Sequence, residues 1–285
     1  MDEQRRLAVL VDADNAQPSV IGALLEEVAK YGTASVKRIY GDFTSTRMNQ
    51  WKQALLRFSI NPVQQFAYTS GKNATDSALI IDAMDLLYTR RFDGFCLVTS
   101  DSDFTRLAQR LREEGLTVYG FGEKKTPDAF IQACDKFIYT ELLRDGSEAE
   151  APPVDAKKPA KKPKPPAKPP TASAPADAAT PASPAKTPAT QPGEASAIPL
   201  PQGAPLALIR RAVEEASDER GWANLAAVGA YLTKVRPDFD PRLYGHRKLS
   251  DLLRSLDRFF AMEDRGSGPA KTIYVRAAGR QGDVE

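Results

Sequence analysis

Four aspartates, Asp12, Asp76, Asp101 and Asp103, stand where folding can gather acids from distant parts of the chain. Asp12 closes the apolar run LAVLV (7–11), Asp101 and Asp103 follow GFCLVTS (94–100), and Asp76 opens the pattern TDSALIIDAMDLLYTR (75–90). Carboxylates brought together repel one another, and a bound cation resolves the repulsion. With no cysteine or histidine ligands beside them, the set suits a hard divalent ion, Mg2+ or Mn2+. Such an ion activates water, neutralises charge on a phosphate and stabilises a leaving oxygen, so the expected chemistry is phosphate-ester hydrolysis.

Other chemistries fit less well. The single histidine, His246, lies near the far end of the chain, and no nucleophilic serine or cysteine arrangement stands out. There is no GxxxxGK[ST] loop and no GxGxxG after the first apolar run, which disfavours nucleoside-triphosphate and dinucleotide chemistry. Three polar neighbours are candidates for substrate contact: Asn15 in the turn after Asp12, Lys72 in SGKNATD, and Ser100 just before Asp101. Each also reads as an ordinary loop residue. The acids have plain readings too: Asp103 as a helix cap or first-turn acid, and Asp12 and Asp14 as members of a turn. The case for a site is the combination, with acids after two strands and one more on an inward helix face.

That combination depends on the elements around it. LAVLV (7–11), SVKRIYG (35–41), PVQQFAY (62–68), GFCLVTS (94–100) and LTVYGF (116–121) read as strands. SVIGALLEEVAKYG, RMNQWKQALLRF, TDSALIIDAMDLLYTR and FTRLAQRLREEG read as helices between them, and DAFIQACD and KFIYTELL close the region. Alternation on this scale predicts a parallel sheet with helices on both faces. In such sheets ligands bind at the carboxyl ends of the strands, where Asp12, Asp101 and Asp103 fall. At about 100° per residue Asp76 shares a helix stripe with Ile80, Ala83 and Leu87, which directs it toward the strand ends. Asp82 and Asp85 fall on other faces and are expected in solvent.

Beyond this region the composition changes. Residues 146–197 are almost entirely Ala, Pro, Lys, Ser and Thr and hold 13 of the 22 prolines, which predicts a disordered, semi-stiff linker. The remainder reads as helices over 205–217, NLAAVGAYLTKV with Asn224 as N-cap, a PRLYG turn and KLSDLLRSL, then a hairpin over FFAMEDRGSGPAKTIYVR: a small winged helix-turn-helix. Trp222 and Tyr244 are expected in its core. Charge is nearly balanced, at +2 over the chain, with residues 1–145 carrying 18 basic and 20 acidic side chains. The first region therefore needs local patches or a metal to hold a phosphate. No run approaches the length of a membrane span, no secretory signal is evident, and Cys96 and Cys134 read as reduced core residues. The default location is the cytoplasm, with no membrane partner.

VLVDADN, YGDF, GKNATDSALIIDAMDLL and LVTSDSDFTRLAQRLREEG together resemble the NYN family, PIN-like nuclease domains of the LabA-like branch, over residues 5–143. The resemblance implies a compact α/β/α fold, RNA cleavage, and Mg2+ or Mn2+ held by Asp12, Asp76, Asp101 and Asp103. Asn15 matches the asparagine of the first motif, whereas Asp14 stands where the family has a small or variable residue. LYGHRKLSDLLRSLDRFFAMED…KTIYVR resembles the OST-HTH or LOTUS domain over residues 202–277, which implies an RNA- or protein-binding winged helix. Arg242, Arg247, Lys248, Arg254 and Arg258 could then contact phosphates. The expectation is a metal-dependent ribonuclease whose tethered module binds RNA and raises its local concentration. The alternative is a non-catalytic regulator of RNA or protein that keeps the fold, and either domain offers a surface for a protein partner or a second copy. A haloacid-dehalogenase-type phosphatase, suggested by Asp12-Ala-Asp14, lacks the hydroxyl-bearing turn after that motif and the later lysine and acid pair.

Overall fold

The computed structural model of the chain describes residues 4–44, 46–66, 74–144, 203–266 and 272–278. The expected linker over 146–197 lies outside the described residues, as does Lys72.

The N-terminal region is a six-stranded sheet in the order β3-β2-β1-β4-β5-β6, parallel throughout. Its strands are β1 (Arg6–Asp12), β2 (Thr33–Gly41), β3 (Asn61–Gln64), β4 (Gly94–Val98), β5 (Thr117–Gly122) and β6 (Lys136–Tyr139). Helices α1 (Ile21–Ala29), α2 (Trp51–Phe58), α3 (Ala74–Tyr88), α4 (Thr105–Glu113), α5 (Asp128–Ala133) and α6 (Glu141–Arg144) connect and cover it. Strand β1 shows why the apolar runs are continuous rather than alternating. Ala8 and Leu10 pack on one face with α3 and α4, while Leu7, Val9 and Val11 pack on the other with α1. Both faces are buried, so both sets of alternating side chains must be apolar.

The expected elements form with modest changes of boundary. Strand β3 is shorter than expected, ending at Gln64. On α3 the buried positions are Leu79, Ala83, Leu86 and Leu87, with Ile80 partly buried against the same cluster. Asp82 is not a solvent residue: it accepts hydrogen bonds from Arg38 and Tyr40 of β2. The long donors of a neighbouring strand reach it across the helix–sheet contact, which helical periodicity alone does not reveal. Asp85 is exposed as expected.

The C-terminal region comprises α7 (Leu206–Glu215), β7 (Ala223–Asn224), α8 (Leu225–Val235), α9 (Leu249–Ser255), β8 (Phe260–Arg265) and β9 (Thr272–Ala277). Asn224 caps α8, its side chain accepting from the Ala226 amide at 2.9 Å. The three strands form an antiparallel sheet in the order β7-β9-β8, the wing of a winged helix. Its core is Ile209, Val213, Val228, Leu232, Leu252, Leu253, Phe260 and Val275, with Tyr244 packed against it. Trp222 departs from the expectation. It is only half-buried and stacks under the guanidinium groups of Arg265 and Arg276. No described helix is long and apolar enough to cross a membrane.

Candidate metal centre

The strand order puts β1 beside β4, so their carboxyl ends deliver Asp12 and the Thr99–Asp103 turn to one edge of the sheet. Asp12 is 1% exposed. Its Oδ1 accepts from the Asp14 amide at 3.0 Å, and its Oδ2 accepts from Asn15 Nδ2 at 2.7 Å and from Thr99 Oγ1 at 3.0 Å. Thr99 Oγ1 in turn accepts from the Asp101 amide at 3.1 Å. One buried hydroxyl therefore locks the end of β1 to the turn after β4. Asp101 Oδ1 accepts from the Asp103 amide at 2.9 Å and caps the single turn Ser102–Phe104. The cap is thus Asp101, while Asp103 is the first-turn acid that the plain reading also allowed.

Asp76, on the first turn of α3, meets Asp101 and Asp103. Each offers one carboxylate oxygen, and the three oxygens lie within 4.8 Å of one another. Oxygen ligands bind Mg2+ or Ca2+ at about 2.0–2.6 Å, so ligands across one ion stand roughly 4–5 Å apart. An all-carboxylate donor set at this spacing fits a hard divalent cation. Asp12 is outside this trio but within its field. The Asp76 carboxyl is pushed up to about 6 by burial first and then by the negative charges of Asp12, Asp101, Asp103 and Asp14. Burial likewise raises the Asp12 carboxyl, against the lowering effect of the hydrogen bonds from Asn15 and Thr99. Among the described residues no lysine or arginine is hydrogen-bonded to any of the four acids.

The other candidates fall as follows. Asn15 orients Asp12, and Asp14 is exposed at the rim. Ser100 is buried, and its Oγ accepts from the Glu123 amide at 2.8 Å, which ties the end of β4 to the loop after β5. At the end of β5, a Cβ on Gly122 would lie 2.5 Å from the Thr99 carbonyl oxygen, so this position is confined to glycine by close approach. Thr99 is the residue that sequence reasoning missed. Its only signal was a hydroxyl next to the acids in LVTSDSD, and its role depends on β1 and β4 being neighbours.

In the C-terminal region Arg247 and Lys248 are exposed just before α9 and Arg254 is exposed in its last turn, 3.4 Å from Asp251. Arg258 is exposed as well. Arg242 is placed differently: its guanidinium is enclosed by Asp240 and Glu27. His246 is partly buried, its ring 3.2 Å from Ser255 Oγ.

Residues 6–143 match the NYN domain, and residues 200–271 match the OST-HTH/LOTUS domain. No curated protein matches the chain. Among solved structures, the chain is similar to a protein from Nitrosomonas europaea at 38% identity, covering 34% of this chain and 95% of that one, with a TM-score of 0.28. It is similar to a Vibrio parahaemolyticus protein of unknown function at 18% identity, covering 49% and 94%, with a TM-score of 0.42. A Chromobacterium violaceum protein is 34% identical over 31% of this chain and 94% of that one, with a TM-score of 0.23.

Proposed function

We propose that this chain, an NYN domain followed by an OST-HTH/LOTUS domain, is a divalent-metal-dependent ribonuclease with its own RNA-binding module. The observation that carries this reading is the convergence of Asp76, Asp101 and Asp103 within 4.8 Å at the carboxyl edge of the sheet, with no cationic side chain bonded to them among the described residues. Asp76, Asp101 and Asp103 hold Mg2+ or Mn2+, and Asp12 adds its charge from the buried side. When bound, the ion supplies an activated water and neutralises charge on the phosphodiester. Thr99 and Asn15 fix Asp12, and the Asp101 cap fixes the turn that carries Asp103, so the acids are held in place before a substrate arrives. Asp76 must give up its proton to become a ligand, and its carboxyl, pushed up to about 6, places that event near pH 6. Lys72 and Ser100 remain candidates for substrate contact. Arg247, Lys248 and Arg254 contact RNA phosphates as exposed cations on the second domain. The two free buried thiols, Cys96 and Cys134, accord with a cytoplasmic setting.

The test is cleavage of labelled RNA by the purified full chain, with and without Mn2+, beside Asp101→Asn. Cleavage that needs the ion and vanishes in the variant is expected. RNA binding without cleavage in either protein would leave the non-catalytic regulator as the reading, and equal cleavage by both would overturn the assignment of the acids.

A further inference from the structure

The segment Arg236–Leu243 joins α8 to α9 in the C-terminal domain, yet Pro237, Asp238 and Arg242 each find a partner on the N-terminal domain. The Pro237 carbonyl accepts from the Phe137 amide at 2.9 Å. Phe137 belongs to β6, the last strand of the sheet, so this bond falls on the strand's outer edge. Asp238 Oδ2 accepts from the Tyr139 hydroxyl at 3.0 Å while Arg236 pairs with the same carboxylate at 2.9 Å. Arg242 places Nη1 3.0 Å from Glu27 Oε2 and Nη2 3.3 Å from Glu27 Oε1, and closes a second pair with Asp240. Leu243 packs against the N-terminal core.

These acids are deeply buried: Glu27 is 5%, Asp238 6% and Asp240 7% exposed. A buried carboxylate is costly unless it is paired and hydrogen-bonded. Glu27 has Lys30 and the Tyr31 hydroxyl from its own domain, and its remaining partner, Arg242, comes from the other. Burial alone would raise its carboxyl, but the bonds from Lys30 and Arg242 outweigh it and leave the group below its ordinary range. Arg242 is held well above its own ordinary value, first by its bond to Asp240 and then by Glu27. Lys136, which lies over the Tyr31 ring at 5.0 Å, adds a further cation beside Asp240 and Glu27.

We infer that Arg236–Leu243 is a docking element by which the C-terminal domain seats on β6 and α1 of its own N-terminal domain, with Arg242 as the latch. The occupant is the domain of the same chain, because the connection between Arg144 and Gly203 keeps it at a high effective concentration. Docking leaves Arg247, Lys248 and Arg254 exposed, so the module is held in one orientation while its cations stay available. The long connection then sets no distance between the two domains. This inference stands whether or not the acidic edge cleaves RNA.

The test is amide hydrogen exchange on the full chain, with its mass in solution measured alongside. The Phe137 amide is expected to be protected in a monomer. Glu27→Lys sets two cations against each other and is expected to speed exchange at Phe137 at least tenfold, while the Thr140 amide, which bonds Gly122 inside the sheet, stays protected and reports an intact fold. Tyr139→Phe removes one hydroxyl and is expected to move Phe137 in the same direction by less. An unprotected Phe137 in the wild type, or a protected one that ignores both substitutions, overturns the inference. So does protection found only in a dimer, which would mean the dock is filled by a second copy.

Discussion

The edge where β1 and β4 end and the edge along β6 both bury carboxylates, but they satisfy them in opposite ways. At the first, Asp12 and Asp101 are held by neutral donors: an asparagine amide, a threonine hydroxyl and backbone N–H groups. The negative charge is left in place, and the Asp76 carboxyl rises to about 6. At the second, Glu27, Asp238 and Asp240 face Lys30, Arg236 and Arg242, and the Glu27 carboxyl falls. Asp12 is as buried as the acids of the second edge, whereas Asp76 and Asp101 are half-buried and Asp103 is exposed. The second distinction is that the protein supplies the countercharge itself at β6 and supplies none by hydrogen bond, among the described residues, at the acidic edge.

The largest effect should come from removing one charge at the unpaired edge. Asp101→Asn keeps an oxygen for the Asp103 amide but loses a ligand charge, and RNA cleavage is expected to fall by about 100-fold or more with little change in melting temperature. Retained cleavage would place the reaction elsewhere. Next, divalent binding at this edge should track the Asp76 proton. Affinity measured by calorimetry is expected to rise roughly tenfold between pH 5 and 7 and to flatten above that, because ligation displaces one proton. A flat profile would mean Asp76 is not a ligand.

Neutralising an acid at each edge should then change stability with opposite sign. Glu27→Gln should lower the stability read from denaturant midpoints by about 1–3 kcal/mol, since it weakens charge-assisted bonds to Lys30, Tyr31 and Arg242. Asp76→Asn, without divalent ion, should raise it by under about 1 kcal/mol, because the site is partly solvated. The sign follows from linkage: a carboxyl whose pKa is raised by folding costs stability once ionised. The gain should therefore be present above pH 6 and vanish near pH 4. Equal signs for the two substitutions would erase the contrast between the edges. The smallest effect belongs to the link within the first edge. Thr99→Val should cost about 1 kcal/mol, seen in the same denaturant midpoints, and should loosen Asp12 and the Asp101 turn together.

What could be read from the chain alone follows the range of the interactions. The strands were legible because a parallel sheet buried on both faces demands continuous apolar runs such as LAVLV and FCLV. The placement of Asp12, Asp101 and Asp103 at one edge of the sheet is legible because they follow such runs. Asp76 was legible through helical periodicity, and the Asn224 cap through a local residue preference. Thr99 was not, since a threonine after a strand gains meaning only once the strand order is known. Helical periodicity turns Asp82 toward solvent, but Arg38 and Tyr40 reach it from another strand. The indole of Trp222 reads as a core side chain, whereas two arginines cover it. The contact between Glu27 and Arg242 spans 215 residues, and no pattern in the sequence joins them.

The seat on β6 also governs how this sheet can meet other chains. An open parallel sheet has two outer strands, each able to accept a foreign strand and propagate into an aggregate. Here one outer strand gives its Phe137 amide to Pro237. The other, β3, is four residues long and includes Pro62, which has no amide to donate. Releasing the C-terminal domain would therefore free the Phe137 amide on the outer edge of β6, which is likewise four residues long, and leave that strand open to a foreign one.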